Sequence, residues 1–278
     1  MPETPAVRPT SGADGPLLTV DGLTAGYNGV PAIRGLSFTV GAGEVVSLLG
    51  PNGAGKTTSL LAMVGLVPLM SGSVSALGGT VNTRRPYELA RRGVLLVPDD
   101  RGIFPGLSVR DHFRLAQRTQ DPAREAAVLD RFPALTGLLG RRVGLCSGGE
   151  QQMLTIAKAL LGRPRVLMID EMSLGLAPKI VQEMLPSIRA LAREEGIGVV
   201  LVEQHIELAL SVSDRGVILN HGRVVLEGAA RDLLASRDRV EAAYFGADEF
   251  AGSEVTGGEV TGSGGTGSGV PGAAVVAS

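Results

Sequence analysis

The sequence predicts an α/β fold: a core of mainly parallel sheet, joined to an antiparallel β subdomain and a helical subdomain. Three observations carry this. Residues 50–58, Gly-Pro-Asn-Gly-Ala-Gly-Lys-Thr-Thr, match the pattern G-x-x-x-x-G-K-[ST] in register through Gly50, Gly55, Lys56 and Thr57. Short continuous apolar runs at 93–97, 166–169 and 197–202 have the composition of parallel strands covered on both faces. Alternating segments at 17–21 and 36–40 read instead as half-exposed strands, with a turn at 26–29 between them.

Taken in order, residues 1–16 are rich in Pro, Gly, Thr and Ala and are expected to be disordered. Residues 44–49 read as a buried strand and residues 58–63 as the start of a helix. A strand, a glycine-rich turn and a helix N-terminus form a phosphate cradle, because glycines let successive N–H groups point inward where the helix dipole adds positive potential. Pro51, Asn52, Gly53 and Ala54 fill out that loop and Thr58 follows it. In such a P-loop, Lys56 would reach the β- and γ-phosphates and the Thr57 hydroxyl would bind Mg²⁺. Residues 72–77 form a further short strand and 86–92 a polar helix. Helical periodicity runs over 109–162, broken near Pro122, Pro133 and 144–149. A helix over 179–195 separates the last two apolar strands. Residues 215–219 and 223–227 flank His221-Gly222 as a hairpin, and 232–246 read as helical. The stretch 252–278 is glycine-rich and has no Lys or Arg, so 247–278 is expected to be a flexible tail.

The chain has 278 residues, 44% hydrophobic and 19% charged, with net charge −2, so no electrostatic footprint points to nucleic acid. Cys146 is the single cysteine, which excludes an internal disulfide framework. The first residues lack the basic and apolar blocks of a signal peptide. The longest apolar stretch, 60–70, is too short to span a bilayer and contains Gly65 and Pro68. A cytoplasmic chain is expected, reaching the membrane only through a partner.

Two further constellations carry chemistry. Four apolar residues followed by Asp170 and Glu171 put both carboxylates at the C-terminal edge of a buried strand, where open α/β sheets bind ligands. Asp170 suits a carboxylate that holds Mg²⁺, and Glu171 could take a proton from an attacking water. In Cys146-Ser-Gly-Gly-Glu150, the residues Ser147, Gly148, Gly149 and Glu150 precede a helix whose apolar positions 153, 154, 156, 157, 160 and 161 mark one face. Its N-terminus is suited to phosphate, though taken in isolation a serine there reads first as an ordinary cap.

These three motifs, in this order, resemble the ATP-binding subunits of ABC transporters, over about residues 17–246. The resemblance implies a P-loop NTPase core with a helical signature subdomain over about 99–162. It also implies ATP and Mg²⁺ as ligands, and a head-to-tail dimer in which Ser147–Glu150 of one ATPase subunit cap the γ-phosphate on the P-loop of a second, identical or not. Tyr27 stands at the place of the family's adenine-stacking aromatic. Asp99 replaces the family's usual metal-touching Gln in the Q-loop, and Cys146 and Met172 stand where Leu and Pro are usual. Residues 173–178 match the D-loop. At the switch position, spacing from Glu171 favours Gln204 over His205, and adjacent residues on an extended segment point to opposite sides. The zone 99–113 would receive the coupling helix of a membrane permease subunit, with Ile103, Phe104 and Leu107 as apolar anchors. A solute-binding protein would be an indirect partner. His112 and His221 read as surface or loop residues. Ser-Gly-Gly-Glu-Gln-Gln-Met-Leu, Ser-Leu-Gly-Leu-Ala-Pro and Val-Glu-Gln together look most like the ATPases of branched-chain amino acid importers, or of related urea and amide importers. The alternatives are a non-hydrolytic regulatory subunit and a non-transport ABC protein. The latter would need a coiled-coil insertion or a second fused ATPase unit, and the sequence has neither.

Overall fold

A computed structural model of the protein describes residues 15–173 and 175–245. Residues 1–14, 174 and 246–278 lie outside the described residues, and the expectations for an N-terminal segment and a tail fall there. The described chain opens with an antiparallel hairpin, β1 (Leu18–Tyr27) and β2 (Val30–Val40). Its two-residue loop is Asn28-Gly29, with φ of 51° and 80°, the positive values that a tight hairpin turn requires. β3 (Val45–Leu49) leads into the P-loop and α1 (Lys56–Met63). β4 (Leu69–Ala76) returns to pair with β1, and β5 (Gly79–Thr80) completes a four-stranded antiparallel sheet in the order β2-β1-β4-β5.

After α2 (Pro86–Arg91) and β6 (Val94–Val97) the chain forms a helical region. It comprises α3 (Val109–Ala116), α4 (Pro122–Arg131), two short 3₁₀ turns at Pro133–Leu138 and Val143–Leu145, and α5 (Gly148–Leu161). β7 (Val166–Asp170), α6 (Pro178–Glu195), β8 (Gly198–Glu203), α7 (Ile206–Val212), β9 (Arg215–Asn220) and β10 (Arg223–Ala229) follow. α8 (Ala230–Ala235) and α9 (Arg237–Phe245) close the described chain. The second sheet has six strands in the order β10-β9-β3-β8-β7-β6. All neighbours in it are parallel except the edge pair β9–β10.

Alternation along the central strands sorts the core into two layers. Val46, Leu48, Met168, Val200 and Val202 face the antiparallel sheet and α1, in one cluster with Leu18, Leu36, Leu60 and Met63. Leu49, Leu167, Ile169, Val199 and Leu201 face the other way, into a cluster with Leu154 and Ile156 of α5 and Leu185 and Ile188 of α6. Strands covered on both faces need no polar side, which is why they read as continuous apolar runs. No helix among the described residues is long and apolar enough to cross a membrane.

Three expectations are corrected. β6 lies at the sheet edge, paired only with β7, so Leu95 and Leu96 are half-buried rather than enclosed. The helix expected over 232–246 starts earlier and breaks at Ser236, giving α8 and α9. His112 is fully buried, not a surface residue. Its Nδ1 lies 2.8 Å from the Ser108 carbonyl oxygen, and its Nε2 accepts the Phe104 N–H at 2.9 Å. A neutral imidazole protonated at Nδ1 satisfies both contacts and pins the loop before α3.

Candidate functional site

The P-loop conformation depends on glycine at two positions. Gly50 has φ 154°, and a Cβ there would stand 2.3 Å from the Leu219 carbonyl oxygen. Gly55 has φ 94°, and a Cβ there would stand 2.6 Å from the Ala32 carbonyl oxygen. α1 starts directly after Gly55 with no side-chain cap and no acidic residue in its first turn. Its leading N–H groups therefore remain available to an anion. Asn52 and Gly53 are exposed at the crown of the loop, Pro51 is half-buried, and Ala54 is buried. Of the two threonines, Thr57 is exposed and Thr58 is buried.

Lys56 is 4% exposed. Its Nζ donates to the carbonyls of Gly50 at 2.9 Å and Pro51 at 3.2 Å, and lies 3.4 Å from Glu171 Oε1. An ammonium has three N–H groups, and three acceptors surround this one. Glu171 has φ 44°, a left-handed conformation for a residue with a Cβ, and its N–H is held by the Val202 carbonyl at 3.0 Å. That turn separates two adjacent carboxylates. Asp170 stays buried at the end of β7, while Glu171 reaches Lys56 with one oxygen and accepts from Gln204 Nε2 at 3.0 Å with the other. Of the pair at the end of β8, the structure thus brings Gln204 to Glu171. His205 stands exposed at the start of α7 and makes no cap bond.

Asp170 is the group that the protein alone leaves unfinished. Its Oδ1 is buried and has no hydrogen-bond partner. Burial pushes its pKa up to about 6, with the charges of Asp99 and Glu171 acting in the same direction and the Thr57 hydroxyl and Lys56 opposing them. Asp99 is exposed, and its carboxylate accepts the Asp100 N–H at 2.8 Å. A buried anionic oxygen without a partner, a hydroxyl and a nearby second carboxylate are hard oxygen donors that fit Mg²⁺. No cluster of three or more His, Cys, Asp or Glu side chains placed to hold a metal occurs among the described residues.

Ser147 caps α5 in a reciprocal box: its hydroxyl accepts the Glu150 N–H at 3.3 Å, and its own N–H donates to Glu150 Oε2 at 2.6 Å. Gly149 is buried against α6, where a Cβ would meet Ile180 Cδ1 at 2.5 Å. Among the described residues no hydrogen bond or ion pair joins 147–150 to 50–58 within the protomer. Tyr27 is half exposed at the end of β1.

Sequence reasoning missed three contributors. Arg101, at φ 66°, donates from Nη1 to Gln151 Oε1 at 2.7 Å and from Nε to Gln152 Oε1 at 3.2 Å, tying the segment after Asp99 to α5. Glu203 is buried, and accepts both the N–H and the hydroxyl of Ser173, at 3.0 and 2.5 Å. An acidic residue ending an apolar strand was the available signal for it. Tyr244 donates its phenol O–H to the Gly50 carbonyl at 3.1 Å, a contact across most of the chain with no local signal.

Residues 33–173 match the family model described as ABC transporter. The chain is 36% identical over 234 residues to the high-affinity branched-chain amino acid transport ATP-binding protein BraG of Pseudomonas aeruginosa, covering 83% of this chain and 100% of that one. It is 31% identical over 240 residues to the lipopolysaccharide export system ATP-binding protein LptB of Escherichia coli K12, covering 83% and 98%. Among solved structures it resembles the ATP-binding subunit of an ABC transporter, with TM-score 0.72 and 28% identity over 82% of this chain and 98% of that one.

Proposed function

The chain belongs to the ABC transporter family as an ATP-hydrolysing subunit, and from that premise we propose that it powers uptake of a small solute, branched-chain amino acids being the best-supported class. One observation carries the catalytic part: Glu171 is held between Lys56 and Gln204, beside the partnerless oxygen of Asp170. Phosphate oxygens entering the P-loop compete with Glu171 for the third N–H of Lys56. The released Oε1 then faces the terminal phosphate and accepts a proton from the attacking water, while Gln204 keeps the carboxylate aimed through its other oxygen. Thr57, Asp170 and Asp99 would hold Mg²⁺, which neutralises phosphate charge when bound. The cradle of residues 50–58 binds the phosphates and Tyr27 stacks on adenine. Ser147, Gly148, Gly149 and Glu150 present their helix N-terminus to nucleotide on a second subunit, since within the protomer they bond to no part of the P-loop.

The permease reading draws support from an apolar surface at Phe104, one of the three expected anchors; Ile103, expected to be exposed, packs against the core instead. A groove of ≈ 870 Å³ lies along the β6 edge, lined by Leu95, Leu96, Phe104 and Leu115 among others. Phe104 and Leu115 are both largely exposed, Leu107 less so, and Ile103 is packed against the core. A membrane subunit docked there would hold the chain at the cytoplasmic face. The similarity to LptB favours a second reading, export, with the membrane subunits deciding direction and cargo.

Glu171→Gln keeps the shape and the Gln204 contact but removes the base. It should bind MgATP as tightly as the native protein, with single-turnover hydrolysis slower by about 10²–10⁴-fold. Hydrolysis at the native rate would remove Glu171 from its role. For the transport reading, the ATPase reconstituted with its co-purifying permease should hydrolyse faster when a leucine-loaded binding protein is added. Indifference to every branched-chain amino acid would overturn the importer assignment.

A further inference from the structure

The carbonyl of Gly50 is a fixed point of the site. It lies on the first residue of the P-loop, which is buried and cannot carry a Cβ. It accepts from Lys56 Nζ at 2.9 Å and also from the Tyr244 hydroxyl at 3.1 Å. Tyr244 lies on α9, far from the P-loop in sequence. Its own position is set by Asn220, the last residue of β9, whose Nδ2 donates to the carbonyls of Ala243 and Tyr244, both at 3.3 Å. β9 pairs directly with β3, the strand that delivers the P-loop. Burial and the nearby negative charge of Glu171 both raise the Tyr244 pKa, so the phenol is a proton donor at neutral pH.

We infer that Tyr244 is a positioning residue of the nucleotide site: it holds the Gly50 carbonyl on which the Lys56 ammonium rests, so the last described helix sets the direction of the phosphate-binding lysine. Two of the three Lys56 N–H groups are committed to Gly50 and Pro51. The third is aimed at Glu171 and, in the bound state, at phosphate. Two hydrogen bonds restrain the Gly50 carbonyl, and that restraint helps the third N–H keep its aim. Without the phenol, the acceptor loses its hydrogen bond from α9 and keeps the one from the lysine it is meant to orient. The effect acts on phosphate and not on the base or ribose. It rests on the P-loop being the phosphate site.

The test is Tyr244→Phe in the full chain, which removes one oxygen and keeps the ring. Affinities for ATP and AMP are measured by competition against a fluorescent ATP analogue, and KM and kcat by steady-state hydrolysis. ATP affinity should fall about three- to ten-fold, the range for loss of one hydrogen bond. AMP affinity should stay within about two-fold and KM should rise far more than kcat falls, since the bond acts on phosphate capture. Asn220→Ala, which releases α9 from β9, should lower the ATP-to-AMP affinity ratio in the same direction. An unchanged ratio in both variants would overturn the inference, as would equal weakening of ATP and AMP, the signature of a helix that merely stabilises the fold. Lys56→Ala is the control. If it binds ATP like the native protein, the phosphate-site reading itself fails; if it loses ATP while Tyr244→Phe does not, only the role of Tyr244 falls.

Discussion

Glu203 shows how one buried carboxylate can report on its surroundings. It ends β8, is almost wholly enclosed, and receives both polar groups of Ser173. Burial raises its pKa above the ordinary 4.5, against the hydrogen bonds from Ser173 that lower it. The folded protein therefore holds this proton to a higher pH than the unfolded chain does. Its contribution to stability is greatest below pH 4.5 and declines as pH rises through the folded value. Glu203→Gln should accordingly raise the midpoint of thermal unfolding at pH 8, with the gap over the native protein closing as pH is lowered toward 4.5. Calorimetry across that range checks it, and a gap that does not change with pH would contradict the cause given. At the same scale, the P-loop residues were legible because each does its work locally: Gly50 and Gly55 make the turn, and Lys56 follows within the same loop. The choice between Gln204 and His205 was not settled by spacing alone. It depends on where the chain turns after β8, and that places Gln204 against Glu171.

Elements were legible where a period or a cap announced them. The Ser147–Glu150 box is such a signal, and α5 starts there. Ser147→Ala removes the acceptor of the Glu150 N–H and should lower stability by about 1 kcal/mol, read as a reduced urea midpoint with unchanged slope. An unaltered midpoint would mean that the cap contributes nothing in the isolated protomer. β6 and the C-terminal helices were read less well. The apolar run of β6 resembles that of β8, yet β8 is flanked by strands on both sides and β6 on one. Strand order is a property of the sheet, invisible in either run. His112 was misread for a related reason: it sits on an amphipathic helix, and the loop bearing Phe104 folds back over it.

At the scale of the molecule, the proposed shared site makes a prediction about assembly. Residues 50–58, Glu171 and Gln204 converge, while among the described residues no hydrogen bond or ion pair joins 147–150 to 50–58. A second subunit is the economical completion. In the slowly hydrolysing Glu171→Gln variant, MgATP should convert monomer to dimer, measured by size-exclusion chromatography with light scattering. A monomer at saturating MgATP, with and without the partner ATPase, would contradict the shared site.

Local spacing alone determined the strand-loop-helix around residues 50–58 and the Asp-Glu pair ending an apolar strand. Each depends on contacts within a few residues, where backbone geometry permits few outcomes. Only the tertiary structure decided that Glu171 meets Lys56 and Gln204, that Glu203 holds Ser173, and that Tyr244 reaches Gly50. Those pairings follow from the order β9-β3-β8-β7, which brings distant segments to one sheet edge. Such an order is chosen by the packing of whole layers, and no short stretch of sequence encodes it.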